Sequence, residues 1–311
     1  MVLFLKPIFK ERLWGGNGLE SFNYHLPNNT IGECWAISAH PHGANIIENG
    51  KHKGQTLDQV WSSDKELFGN DERDKFPLLT KILDANDKLS VQVHPDDAFA
   101  LEHEGEYGKT ECWYILSAAE DAEIIYGVNV ENKEDLNNYI DNKKFDQLFR
   151  KIKVKPGDFY YVPAGTVHAI GSGIMILETQ QSSDTTYRIY DYDRKDKQGK
   201  LRELHLEQSK KVININQNNP NVTPKEYNYQ GQKFTEFVSN EFFTVDKLKI
   251  DGEFDYTKPN VYCLVSIIDG HGSVTIDSEK YNIEKGRHFI LTNDDKTITF
   301  KGDVELIISY A

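Results

Sequence analysis

Short stretches of alternating apolar and polar residues, separated by glycine and proline turns, make up most of this sequence. Alternation with a period of two predicts β-strands. Residues 1–54 are predicted to be β-rich, and from about residue 234 strands and turns continue to the end. Between them, strands are predicted at residues 76–83, 90–95, 113–116, 123–128, 159–162 and 174–177. Many short strands joined by glycine turns favour a jelly-roll or barrel.

Three stretches depart from this period and predict helices. Thr56 and Gln59 fit a capping box, which predicts a helix over residues 56–68. Apolar residues recur at helical spacing over residues 131–151, which indicates a helical insertion between strands. Residues 201–213 are interpreted as a third helix. Residues 214–221 are rich in asparagine and are interpreted as a linker.

Candidate metal donors begin in the strand at residues 90–96, SVQVHPD. Gln92 and His94 are two apart and therefore project from the same face. Inward polar groups are costly unless they meet a partner. Glu111 and His168 are candidates for that partner. An amide, two imidazoles and a carboxylate suit Zn²⁺ or another borderline divalent ion.

Composition and charge exclude several classes of protein. The 311 residues include 49 acidic and 36 basic side chains, a net charge of -13, which opposes a nucleic-acid partner but permits a small phosphorylated substrate in a local basic pocket. The three cysteines are far apart, so neither a disulfide framework nor a cysteine zinc site is indicated. The apolar run before Lys6 is too short for a signal-peptide core or a membrane span, so we expect a cytoplasmic protein.

Two signature motifs carry a family resemblance. Residues 157–168 match the second motif of the cupin superfamily, G-x5-P-x-G-x2-H, although Ser172 stands where an asparagine is usual. The first motif is more altered, because Gln92-x-His94 replaces His-x-His and Glu111 lies far downstream. With these departures the chain resembles the type I mannose-6-phosphate isomerases, in a short bacterial form. The matching segments are residues 76–81, 90–96, 109–113, 163–168, 177–178 and 183–188.

The resemblance covers Lys6 to about Ile213 and implies a mainly β fold. A cupin jelly-roll catalytic domain with helical insertions is expected over residues 1–228. A smaller, cupin-like β domain without metal is expected over residues 229–311. Within the second domain, residues 283–290 echo residues 154–161, and Thr297 stands in the place of His168.

The resemblance also implies an enzyme that interconverts D-mannose 6-phosphate and D-fructose 6-phosphate through an enediol. One Zn²⁺ per chain would be held by Gln92, His94, Glu111 and His168. Arg188 and Glu178 would be catalytic, and Lys109 and Ser90 would bind the substrate, with Lys109 also matching a family lysine. The proton-transfer base stays open between Glu178 and a metal-bound water, and the oligomeric state stays open, with a monomer compatible.

Several of these residues, and the function itself, also have alternative interpretations. Arg188 could instead form surface ion pairs with Asp184, Asp191 or Asp193. The alternative functions are a metal-dependent cupin dioxygenase and a non-catalytic sugar-binding cupin. His40-Pro41-His42 and the acidic stretch at residues 102–106 are interpreted as loops without a role in the site.

Overall fold

The computed structural model describes residues 1–216 and 222–311 and consists mainly of antiparallel strands. In the first part these are β1 (Leu3–Lys6), β2 (Ile8–Gly16), β3 (Ile31–Ile37), β4 (Ala39–His40), β5 (Gly43–Ala44), β6 (Ile46–Ile47), β7 (Leu78–Ala85), β8 (Val91–Val93), β9 (Glu111–Ala118), β10 (Glu123–Val128), β11 (Phe149–Lys153), β12 (Phe159–Val162), β13 (His168–Ala169), β14 (Ile174–Gln181) and β15 (Tyr187–Tyr190). The later strands are β16 (Lys225–Tyr229), β17 (Gln232–Ser239), β18 (Thr244–Tyr256), β19 (Cys263–Ile276), β20 (Glu279–Glu284), β21 (His288–Leu291) and β22 (Ile298–Tyr310). The α-helices are α1 (Leu57–Ser63), α2 (Asp97–His103), α3 (Lys133–Asp141), α4 (Phe145–Leu148) and α5 (Leu206–Val212).

Two antiparallel sheets lie face to face in the first part of the chain. The smaller has the strand order β11-β10-β13-β8-β15, and the larger has the order β12-β9-β14-β7-β3-β2. Side chains from both sheets, among them Trp113, Ile124 and Ile176, fill the space between them. The predicted mainly β, cupin-type architecture is confirmed.

Alternation along β8 and β9 sends the candidate donors into this sandwich. Val91 and Val93 pack outward in a cluster with residues of α3, α4 and α5, so Gln92 between them faces the interior. Cys112 packs outward in the core shared with the C-terminal sheet, so the preceding Glu111 faces inward. Apolar contacts on the outer faces therefore fix the direction of two polar side chains.

The C-terminal strands form a third sheet, with the order β16-β17-β18-β22-β19-β21-β1-β6 and with β20 paired to β19. Its two outermost strands at one side come from the start of the chain, because Leu3 pairs with Ile290 and Leu5 with Ile47. The predicted division between residues 228 and 229 stays a prediction. The third sheet itself begins at β16 and includes β1 and β6.

The predicted helices occur with shifted ends. Thr56 caps α1 in a capping box, and a 3-10 turn at Lys65–Phe68 completes the predicted segment. The insertion over residues 131–151 is helical only to Leu148, because Phe149 pairs with Val128 and starts β11. Residues 201–205 precede α5 rather than belong to it. Of the linker predicted at residues 214–221, residues 217–221 lie outside the described part of the chain.

The internal echo has a structural counterpart. Gly157 and Gly286 both adopt positive φ, 89° and 90°, which glycine tolerates without strain. Their amides donate to Ile115 and Ile267, at 2.9 Å and 3.0 Å. The turns lead into β12 and β21, which pair with β9 and β19 respectively. The two units therefore share this turn and strand pairing, while the absence of metal from the second stays a prediction.

Candidate metal and substrate site

Three buried side chains, His94, Glu111 and His168, bring their donor atoms together inside the sandwich, all within 4.8 Å of one another. His94 Nε2 lies 3.4 Å from Glu111 Oε2, and His168 Nε2 lies 3.3 Å from Glu111 Oε1. Two donors bound to a tetrahedral metal at about 2.0–2.1 Å would lie about 3.3–3.4 Å apart. The observed spacing fits a metal held between these atoms.

Backbone carbonyls set the orientation of both imidazoles. His94 Nδ1 donates to the carbonyl of Thr185 and His168 Nδ1 donates to that of Thr166, each at 2.9 Å. Each Nε2 therefore directs a lone pair at Glu111. His94 Nε2 and Glu111 Oε2 are buried and have no hydrogen-bond partner within residues 1–216 and 222–311. Acceptors that face one another in this way are stabilised by a cation between them.

Gln92 completes the predicted set on the neighbouring strand. Its Cα lies opposite that of His168 in the β8–β13 pair. Its amide nitrogen is 3.3 Å from His168 Nε2. Turning the amide over exchanges the nitrogen for the oxygen, which is the end that a metal takes.

Burial controls the charge of these groups. It lowers the pKa of His94 to about 3 and also lowers the pKa of His168, so both rings are neutral and available as donors. Burial alone would raise the pKa of Glu111, but neighbouring groups, first among them the charged Lys109, outweigh it and hold that pKa well below its ordinary value. The cluster therefore offers two neutral imidazoles and one carboxylate.

Lys109 is buried beside the cluster, with Nζ 3.4 Å from Glu111 Oε2. Its burial opposes the charge, but Glu111 and Glu178 more than compensate, and the pKa of Lys109 is raised. It is therefore a buried cation rather than a solvated lysine at the end of a strand. Ser90 is also buried and lines the same cavity.

Glu178 lies at the centre of the larger sheet, opposite Lys81 of β7 and Trp113 of β9. Trp113 Nε1 donates to Glu178 Oε2 at 3.0 Å and to Glu111 Oε1 at 3.1 Å. Burial, followed by the charge of Glu111, raises the pKa of Glu178 to about 7. A carboxyl group with this pKa can both accept and release a proton near neutral pH.

Arg188 lies on β15 with its Cα opposite that of Gln92. Nη1 donates to the carbonyl of Glu203 at 2.8 Å, and the buried Nε has no hydrogen-bond partner in the described part of the chain. Asp191, an expected partner in the simpler interpretation, instead pairs with Arg194 and Arg202. Among the described residues, Arg188 therefore presents a guanidinium to the cavity without a carboxylate bound to it.

These side chains surround one cavity of about 370 Å³. Six of the eight predicted site residues line it: Ser90, Gln92, Lys109, His168, Glu178 and Arg188. His94 and Glu111 join the site through the contacts of Glu111 with His168 and Lys109. The assigned roles stay predictions, but the residues that carry them are brought together.

The cavity also includes charged residues that the sequence had not assigned to the site. Lys81 is buried, and its Nζ is 3.9 Å from Glu178 Oε1. Arg12 reaches the cavity while paired with Glu33 at 2.8 Å, and Arg202 does so while paired with Asp191. Lys81 lies in the segment at residues 76–81 that matches the family. This match was the sequence signal that could have assigned Lys81 to the site. Arg12 and Arg202 carry no local motif.

A two-sheet β sandwich with inward histidine, glutamate and glutamine donors defines a cupin with a candidate metal centre. A model of the type I phosphomannose isomerase catalytic domain matches residues 2–141, and one of the mannose-6-phosphate isomerase cupin domain matches residues 233–311. The chain belongs to the type I phosphomannose isomerase family.

Individual relatives agree over the whole chain. A mannose-6-phosphate isomerase of Streptococcus mutans is 54% identical over 99% of this chain and 98% of its own. Mannose-6-phosphate isomerase ManA of Bacillus subtilis is 48% identical with the same coverage. The crystal structure of a mannose 6-phosphate isomerase from Bacillus subtilis superimposes with a TM-score of 0.97 at 44% identity, covering 100% of this chain and 99% of that one. Within residues 1–216 and 222–311, no helix is long and apolar enough to cross a membrane.

Proposed function

We propose that this enzyme interconverts D-mannose 6-phosphate and D-fructose 6-phosphate. The observation that carries the proposal is that the metal donors, Glu178 and Arg188 meet at one cavity. The curated relatives at 54% and 48% identity are named for this isomerisation, and neither the dioxygenase nor the non-catalytic alternative is favoured.

We propose one Zn²⁺ per chain, held by Gln92, His94, Glu111 and His168. Two neutral imidazoles, a carboxylate and an amide oxygen match the ligands that zinc accepts. His94 Nε2, which is buried and has no hydrogen-bond partner among the described residues, supports this assignment. When bound, the ion would supply Lewis-acid polarisation of the sugar oxygens.

The chemistry of the isomerisation requires a proton to move between C1 and C2 of the sugar. Glu178 is the proposed carrier, because its carboxylate is held in the cavity by the indole of Trp113. Arg188 is proposed to stabilise the negative charge of the enediolate, because its guanidinium is planar, permanently charged and not paired with a carboxylate of the described residues.

The rest of the substrate would be held by the other cavity residues. Lys109 contacts a metal donor and would therefore bind the reacting end of the sugar. The phosphate, remote from C1 and C2, would lie with Ser90 and Arg202, which also line the cavity. Binding energy from a remote group orients the reacting carbons. The predicted cytoplasmic location stays a prediction, and the oligomeric state stays open.

Purified protein loaded with zinc tests this function. Mannose 6-phosphate should yield fructose 6-phosphate in a coupled assay, and a chelator should abolish the yield until zinc is restored. Glucose 6-phosphate, the C2 epimer, serves as the control substrate. His168→Ala should lose the reaction, whereas His271→Ala, which alters an exposed histidine of β19, should keep it. Oxygen uptake without isomerisation would overturn the proposal in favour of a dioxygenase.

A further inference from the structure

A single carboxylate lies behind the candidate metal site and holds one segment of its wall. We propose that Glu106 is a positioning residue that keeps His94 oriented for metal, an inference that rests on the proposed function. Glu106 Oε2 accepts hydrogen bonds from Ser183 Oγ at 3.2 Å, Asp184 N at 3.2 Å and Thr185 Oγ1 at 3.0 Å. Three consecutive residues therefore converge on one oxygen atom.

The segment that Glu106 holds lies between two strands and has no strand partner of its own. β14 ends at Gln181 and β15 begins at Tyr187, so residues 182–186 lie outside both sheets. A connection of this kind needs side-chain partners to stay in one conformation. Glu106 supplies an acceptor for one backbone amide of the segment, that of Asp184, and for two of its hydroxyl groups.

Thr185 connects this segment to the candidate metal site. Its carbonyl accepts the Nδ1 proton of His94 at 2.9 Å, which leaves Nε2 as the free donor. On either side of Thr185, the side chains of Asp184 and Thr186 line the cavity. Displacement of the segment would release the ring of His94 and alter the cavity wall together.

Glu106 is itself fixed by the histidines of residues 40–42, for which the sequence predicts a loop without a role in the site but which belong to the paired β4–β5 hairpin. His42 N donates to His40 Nδ1 at 3.2 Å, so the proton of His40 is on Nε2. That Nε2 lies 3.3 Å from Glu106 Oε1 and donates to it. His42 Nδ1 in turn lies 3.1 Å from Asp184 Oδ2. The β4–β5 hairpin thus holds both the carboxylate and the segment.

The physical consequence is a loss of metal affinity. Partners that orient a metal-binding histidine typically change affinity or activity by about 10–100-fold when they are removed. Glu106 acts one step further away, through Thr185. We therefore expect Glu106→Ala to weaken zinc binding about 10-fold. Glu106→Gln should retain part of the affinity, because its amide oxygen still accepts from residues 183–185, whereas its NH2 group no longer accepts the proton of His40 Nε2.

The experiment measures zinc affinity directly, by competition with a chromogenic chelator on metal-free protein. Wild type, Glu106→Ala, Glu106→Gln and Glu102→Gln are compared, the last altering an exposed acid of α2 as the matched control. Thermal unfolding of the metal-free proteins is recorded in parallel, and kcat and KM are measured at saturating zinc.

Weaker zinc binding in Glu106→Ala, partial recovery in Glu106→Gln and no change in Glu102→Gln would support the proposal. Unchanged zinc affinity in Glu106→Ala would overturn it, including the case in which only the unfolding temperature falls. An equal loss of zinc affinity in Glu102→Gln would overturn the proposal as well, because the loss of any negative charge would then explain the effect. Wild-type protein that binds zinc but lacks isomerase activity would contradict the proposed function and leave this inference standing.

Discussion

Arg188 lies directly opposite Gln92 on neighbouring antiparallel strands, and Gln92 in turn lies opposite His168. Three adjacent strands, β15, β8 and β13, therefore present a guanidinium, an amide and an imidazole in one row. A substrate oxygen near the metal donors would also lie near the arginine. Because these side chains are neighbours, mutations must distinguish the role of Arg188 in charge stabilisation from that of Gln92 and His168 in metal binding.

Arg188→Ala should lower kcat far more than it raises KM. Loss of one donor that stabilises charge formed only in the transition state typically costs about 10²–10³ in kcat. Arg188→Lys should restore little, because an ammonium lacks the planar fork. Kinetics on mannose 6-phosphate and zinc content, measured on the same samples, check this.

Zinc content should stay at the wild-type level in both variants, since arginine is not a ligand. Arg287→Ala, which removes a cation beside β21, controls for a general loss of charge. A rise in KM alone would instead make Arg188 an anchor for the phosphate. Unchanged kcat and KM would indicate that Arg188 is a surface residue without a role in the reaction.

The four proposed ligands should not be equivalent. His168→Ala and Glu111→Ala should each bind much less than one zinc per chain, because each removes a strong donor. Gln92→Ala should be milder, since a neutral amide is the weakest donor of the set and water can take its place. Elemental analysis of the dialysed variants checks the order. Full zinc and full activity in all three would refute the ligand assignment.

Removal of the metal should abolish turnover but leave the fold intact. The sandwich has an apolar core between its sheets and a second core against the C-terminal sheet. Zinc-dependent folding is typical of domains that lack such cores. Circular dichroism with and without chelator should therefore agree, with only a lower melting temperature for the metal-free protein. Global unfolding on chelation would contradict this.

Asp246 on β18 should make stability depend on pH. Burial, followed by the charge of Glu236, raises the pKa of Asp246 to about 7. Since an unfolded aspartate releases its proton near pH 3.9, the folded protein binds more protons between about pH 4 and pH 7. The folded state therefore loses stability as the pH rises through this window.

Asp246→Asn removes that ionisation and should raise the melting temperature, relative to wild type, more at pH 8 than at pH 4. Asp251→Asn, on an exposed position of the same strand, is the matched control. Thermal melts at both pH values check the difference. An equal effect of Asp246→Asn at the two values would show that packing, not charge, governs the change.

The strand pattern was readable from the sequence because alternation is a local property. The strands at residues 123–128 and 159–162 were predicted with the observed bounds, and the side-chain period predicted that Gln92 and His94 project from the same face. Glu111, by contrast, lay outside the strand predicted at residues 113–116. Phe149 shows the limit of local signals. Its apolar spacing continues that of the helices before it, yet pairing with β10 makes it a strand.

Residues that reach the site from distant parts of the chain could not be predicted in the same way. Arg12 and Arg202 are separated by most of the catalytic region and meet only because β2 and the segment after β15 border one cavity. The His40–Glu106 contact likewise joins two stretches that separately resemble exposed loops. Without the fold, neither stretch indicates its partner.

The pairing of β1 with β21 has a consequence for synthesis on the ribosome. The two strands are separated by almost the whole chain, and at about 5–20 residues per second β1 emerges roughly 15–60 seconds before its partner. During this interval the apolar residues Leu3 and Phe4 are without β21 beside them. The early strand is thus a candidate client for chaperones, and an excised catalytic part would keep that exposed edge permanently.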